Sequence, residues 1–166
     1  MKVLSLILAA LMYYVSNSYA ESTKEALEKF EILGTWSLDC VKDPKKDGAR
    51  LIFAAPFLGA ATATTIFPQG EATDEISFAE RITEEKIRMV STSAKRVGTF
   101  DALDKLVRGQ PIEDVWQRTG KSLLQIESHT VDGKVTIVKD GVIFSLGADG
   151  QMHPANAFPP LERCLN

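Results

Sequence analysis

From residue 34 onward the chain is built of short runs of alternating or β-branched residues separated by tight turns, and this rhythm constrains the fold more than any other feature. A strand points successive side chains to opposite faces, so alternation marks a strand with one buried side. Trp36, Leu38 and Cys40 share one face, with Ser37, Asp39 and Val41 on the other. Arg50–Phe57 and Ala60–Phe67 are apolar, β-branched runs around a bend at Pro56 and Gly59. Residues 73–82 place Ile76, Phe78 and Ile82 together, interrupted by Glu80, and Lys86–Ser93 pairs Ile87 with Met89. Ile112–Thr119 and Lys121–Val131 come next, joined at Gly120. Asp132-Gly133 and Lys139-Asp140-Gly141 then give hairpin signals ahead of Lys134–Val138 and Val142–Ser145. That is roughly eight or nine strands, with connections too short for the crossovers that parallel pairing needs. The expected class is mainly β, an antiparallel barrel or sandwich, in which closure removes exposed edges. The Gly-, Pro- and Asn-rich stretch leading to Cys164 reads as irregular.

Two segments break the β period. Ser22-Thr23-Lys24-Glu25 fits a capping box, Ala26, Leu27, Phe30 and Leu33 recur at helical spacing, and Gly34 stops the pattern, which predicts a helix over 23–32. Thr99–Gly109 carries Phe100, Leu103, Leu106 and Val107 at helical spacing with early aspartates. This second short helix either packs on the barrel or lies as a lid over its mouth.

Residues 1–20 combine Lys2, an apolar run from Val3 to Val15 and a polar tail with small residues at Ser18 and Ala20, the layout of a cleavable secretory signal. The run is shorter than the roughly 20 residues that span a bilayer, and no later stretch is apolar enough to cross one. The expectation is one mature domain, 21–166, in the periplasm or secreted. In that setting Cys40 and Cys164, the only cysteines, are expected to be bridged, the alternatives being free thiols or an intermolecular link. A net charge of −3, one unit more acidic once Lys2 is removed, gives no basic surface for nucleic acid. Two separate cysteines and two scattered histidines lack metal-ligand spacing, and nothing calls for a cofactor.

The short helix leading into Gly34-Thr35-Trp36 resembles the start of lipocalins and other calycins. There a Gly-x-Trp on the first strand packs at the closed end of an up-and-down barrel beneath an N-terminal helix. The resemblance implies such a barrel here, with Gly34 and Trp36 at its closed end and Arg163 as candidate for the arginine that lipocalins lay over the tryptophan. Gly-x-Trp-x-Leu-Asp-Cys near the start and Glu-Arg-Cys near the end also resemble small exported bacterial proteins.

Inside a barrel of this kind, Phe78, Met89, Trp116 and Ile126 are the expected lining, either filling the interior or bordering a lumen. Glu80 is a polar anchor in such a lumen or a strand-end residue facing water. Ile112, Asp114, Trp116 and Arg118 share one strand face. On the next strand Glu127 and His129 share a face opposite Leu124, Ile126 and Ser128. Glu127 and His129 suggest acid–base work, but no nucleophile motif accompanies them, and His153 reads as exposed. The expected function is non-enzymatic binding of a small apolar or amphipathic ligand. The alternative is a protein-interaction barrel with a filled core, for which the resemblance extends to bacterial inhibitors of secreted metalloproteases that insert an N-terminal segment, here Glu21–Thr23.

Overall fold

The computed structural model describes residues 21–165, so the expected signal segment, 1–20, lies outside the described residues. Ser22 starts the first helix, α1 (Thr23–Lys29), as its capping box requires: the Ser22 hydroxyl accepts the Glu25 backbone N–H and the Glu25 carboxylate accepts the Ser22 N–H. Phe30 caps the far end and Glu31 turns the chain at a positive φ of 59°, so the helix closes before Gly34. The second helix, α2 (Ala102–Val107), is capped by Asp101, whose side chain accepts the Asp104 N–H.

Eleven strands follow the alternation: β1 (Gly34–Ser37), β2 (Arg50–Ala54), β3 (Ala61–Phe67), β4 (Gly70–Arg81), β5 (Lys86–Gly98), β6 (Ile112–Thr119), β7 (Ser122–Thr130), β8 (Thr136–Lys139), β9 (Val142–Leu146), β10 (Met152–Ala157) and β11 (Leu161–Cys164). β1 to β7 run up and down in chain order, each antiparallel to its neighbour, and β11 inserts between β7 and β1. The result is a closed, eight-stranded antiparallel barrel, as expected. The β8–β9 turn is Asp140-Gly141, both at positive φ, which matches the twist a two-residue hairpin demands.

The segment approaching Cys164 is not irregular. β10 forms there as an exposed edge strand carrying Pro154, and β11 completes the ring with register Trp36↔Arg163 and Leu161↔Leu123. Its exposed Glu162 and Arg163 hide a strand only four residues long. β7 divides its second edge, Ser122 and Leu123 pairing β11 while Glu127–His129 pair β8, so β8, β9 and β10 branch off as a side sheet.

Within the ring, two ladders carry three one-residue irregularities: Thr73/Asp74 and Ile76/Phe78 between β4 and β5, and Val115/Trp116 between β6 and β7. Each extra residue reverses the inside–outside phase of the strand beyond it.

At one end α1 plugs the barrel. Leu27, Phe30 and Ile32 are fully buried against Trp36, Ile87 and Leu123, each large side chain contributing about 1.5–3 kcal/mol of apolar burial. Trp36 Nε1 donates to the Ile32 carbonyl at 2.6 Å. The Arg163 guanidinium lies 5.9 Å over the Trp36 ring and donates to the Leu33 carbonyl at 2.8 Å. Gly34, at φ +122°, lets the chain turn beneath that guanidinium, which stands 3.6 Å from where a Cβ would be. Arg118 covers Phe30 and pairs with Glu31. Cys40 and Cys164 are disulfide-bonded, tying the loop after β1 to β11. A bridge of this kind fits an oxidising compartment. Among the described residues no helix is long and apolar enough to cross a membrane.

Candidate ligand cavity

Inward side chains of the ring do not meet across it everywhere. They leave a cavity of about 480 Å³, within the range usual for small-molecule sites. Phe53 of β2, Trp116 of β6 and Phe158, from the link between β10 and β11, form an edge-to-face series with centroids 5.7 and 5.8 Å apart. Leu51, Ile76 and Met89 extend this apolar lining, and Ile137 and Ile143 join it from the side sheet.

A polar sector interrupts the apolar wall. Asp114 lies on β6 between Ile112 and Trp116, all three lining the cavity, and its carboxylate accepts a 2.8 Å hydrogen bond from Gln125 Nε2 on β7. Burial pushes its pKa up to about 6; hydrogen bonds from Ser128 and Gln125 and the field of His129 pull it down, while Asp74 pushes it further up. Asp74 of β4 also lines the cavity, held by Arg96 of β5 at 2.7 Å. Arg96 in turn reaches Asp104 on α2 at 3.0 Å and the Thr73 carbonyl at 3.0 Å. This ion pair fastens α2 against the barrel at the end away from α1, where Val107 contributes to the lining. Phe100 adds an edge-to-face contact with Phe67 at 5.5 Å, flanked by Arg96 and Arg108. No side chain of α2 is fully buried.

Of the residues expected from the sequence to line the barrel, Met89 and Trp116 do so. Phe78 does not. The irregularity at Ile76/Phe78 turns it outward, 42% exposed, with the Arg88 guanidinium over its ring, and brings Ala79 inward instead. Ile126 is the extra residue opposite Val115/Trp116, half-buried and outside the lining, so that Gln125 and Ser128 face inward on either side of it. Glu80 faces solvent and pairs with Arg88. Glu127 is exposed on the outer side, while His129 sits 3.8 Å from Glu113 on the neighbouring strand, so those two are not brought together as an acid–base pair. His153 is exposed, in contact with Asp149. Glu21 is tied down by Arg81 and Lys29.

Sequence reasoning does not mark Phe53, Asp114 or Gln125 as lining. Only Asp114 leaves a signal, a charged residue sharing the Ile112–Trp116 face. Neither protein-family models nor curated proteins nor solved structures give a match to this chain.

Proposed function

We propose that this chain is an exported, non-enzymatic, lipocalin-like binding protein whose barrel holds a small amphipathic molecule. The observation that carries the reading is the cavity of about 480 Å³, apolar along Phe53, Met89, Trp116 and Phe158 and polar at Asp114 and Gln125. Apolar walls with a few placed polar groups are what such a ligand requires. The closed end, with Trp36 between α1 and Arg163, supports the lipocalin-like assignment. The disulfide and the pattern of residues 1–20 support a periplasmic or secreted location.

The protein-interaction alternative calls for a filled interior and a free Glu21–Thr23 segment. The cavity and the ties of Glu21 to Arg81 and Lys29 weigh against it. Two measurements test the proposal: native mass spectrometry of protein purified from its natural source, and titration with the neutral fluorophore N-phenyl-1-naphthylamine. A retained small molecule, or saturable one-to-one fluorescence enhancement, is expected. A mass equal to the bare chain together with no saturable signal refutes it.

A further inference from the structure

The charged groups bordering the cavity are Arg50, Asp74, Arg96 and Asp114. Three of them are already engaged. Arg96 is shared between Asp74 and Asp104, and Asp74 is held by Arg96. Arg50 donates to the carbonyls of Cys40 at 3.2 Å and Lys42 at 3.3 Å. Asp114 is the exception: Gln125 and Ser128 give it hydrogen bonds, and among the described residues no basic side chain forms a salt bridge with it. A carboxylate held away from bulk water without a cation is costly, and the cavity is the space from which a cation can reach it.

We propose that the cavity selects amphipathic amines, the ammonium head pairing with the Asp114 carboxylate while the apolar body lies along Met89, Trp116 and Phe53. This rests on the ligand-binding reading above. An ammonium brings three donors, and the hydroxyls of Ser91 and Ser128, both in the lining, stand as further acceptors. A carboxylate or phosphate head would meet the charge of Asp114 and the adjacent Asp74. An alcohol could hydrogen-bond but would leave the charge of Asp114 unpaired. A single charge-assisted contact of this type is worth roughly tenfold to a hundredfold in affinity.

Selectivity tracks the ionisation of Asp114. With its pKa near 6 it is charged at neutral pH and protonated in mild acid, where the advantage of an amine disappears. Of the charged groups around it, Asp74 from β4 and His129 from β7 act on it directly, with Arg96 from β5 and Asp104 on α2 behind Asp74, and Glu113 on its own strand as the partner of His129.

The test is displacement of N-phenyl-1-naphthylamine from the mature protein by decylamine, decan-1-ol and decanoate, which differ only in the head. At about pH 7.5 decylamine is expected to displace the probe at least about tenfold more tightly than decanol, with decanoate weakest, and the ratio is expected to collapse by about pH 5. Asp114→Asn should bring the decylamine-to-decanol ratio close to one and remove its pH dependence, and His129→Gln should keep both the preference and its pH dependence. Saturable probe binding with all three displacing equally, or with decanoate strongest, overturns the amine assignment and leaves the binding function standing. Loss of the pH response in His129→Gln moves the switch to the imidazole and overturns the role of Asp114. Failure of the probe to bind at all overturns both proposals.

Discussion

Asp114→Asn should stabilise this protein, and the gain should depend on pH in a calculable way. The folded pKa of Asp114 is raised from 3.8 to about 6. A raised acid means that the folded state keeps its proton over a range where the unfolded chain has released it. Stability from this group is therefore present in acid, is lost as pH rises from 3.8 through about 6, and stays lost above that. At 1.36 kcal/mol per pKa unit the full penalty at neutral pH is about 3 kcal/mol. Asparagine has nearly the same shape and keeps an oxygen for the Gln125 donor, but carries no charge to bury. Urea unfolding of both proteins, followed by tryptophan fluorescence, measures the difference directly. The gap in favour of the variant should be about 1 kcal/mol at about pH 4.5 and about 3 kcal/mol at about pH 8. Glu21, Asp104, Asp132 and Asp149 have lowered pKa values and act in the opposite sense, but they are common to both proteins and cancel in the gap. A gap that is constant across this range, or that favours the wild type above pH 6, refutes the reasoning.

Replacing both Cys40 and Cys164 by serine should cost about 5 kcal/mol, the loop entropy of a bridge spanning 124 residues, read as a lower urea midpoint; labelling of unreduced wild-type protein by iodoacetamide would disprove the bridge. Arg163→Met should lose about 2–3 kcal/mol through the cation over Trp36 and the bond to the Leu33 carbonyl, with the tryptophan emission shifted to the red. Met89→Trp should fill the cavity and weaken probe binding severalfold, whereas Phe78→Ser, on the outer face, should leave probe affinity unchanged and alter stability by no more than about 1 kcal/mol.

The sequence is most legible where one physical signal acts alone. Alternation, the capping box at Ser22 and the glycine turns are local, and they yield α1, most strands and the antiparallel arrangement. Closure at Trp36 can be anticipated through the resemblance because both Gly34 and the tryptophan stand on one short strand. Phe78 and Ile126 show where legibility ends. Each lies at a single-residue irregularity, and nothing in the local sequence marks the extra residue, because it is fixed by how the two paired strands twist around a closed ring. Counting by twos past Ser77 therefore puts Phe78 inside and leaves Ala79 out. The polar sector is hidden for the same reason. Gln125 and Ser128 have opposite parity along β7, so strict alternation assigns them to opposite faces, and only the displaced Ile126 lets both meet Asp114. β11 escapes detection because four residues with two charges in the middle carry too little pattern to stand out beside a proline-rich link.

β11 is the single place where ring order departs from chain order, and this has a consequence for how the molecule comes into being. A polypeptide emerging from its N-terminus can zip β1 through β7 by neighbour-to-neighbour hairpins, yet the resulting curl keeps two raw margins until residues 161–164 arrive. Through that interval Cys40 has no mate and Trp36 no guanidinium above it. A protease that clips between β10 and β11 before the bridge forms would therefore remove the seam, the latch and the cover of the tryptophan in one cut, whereas after oxidation the bond to Cys40 keeps the severed strand tethered at its seam.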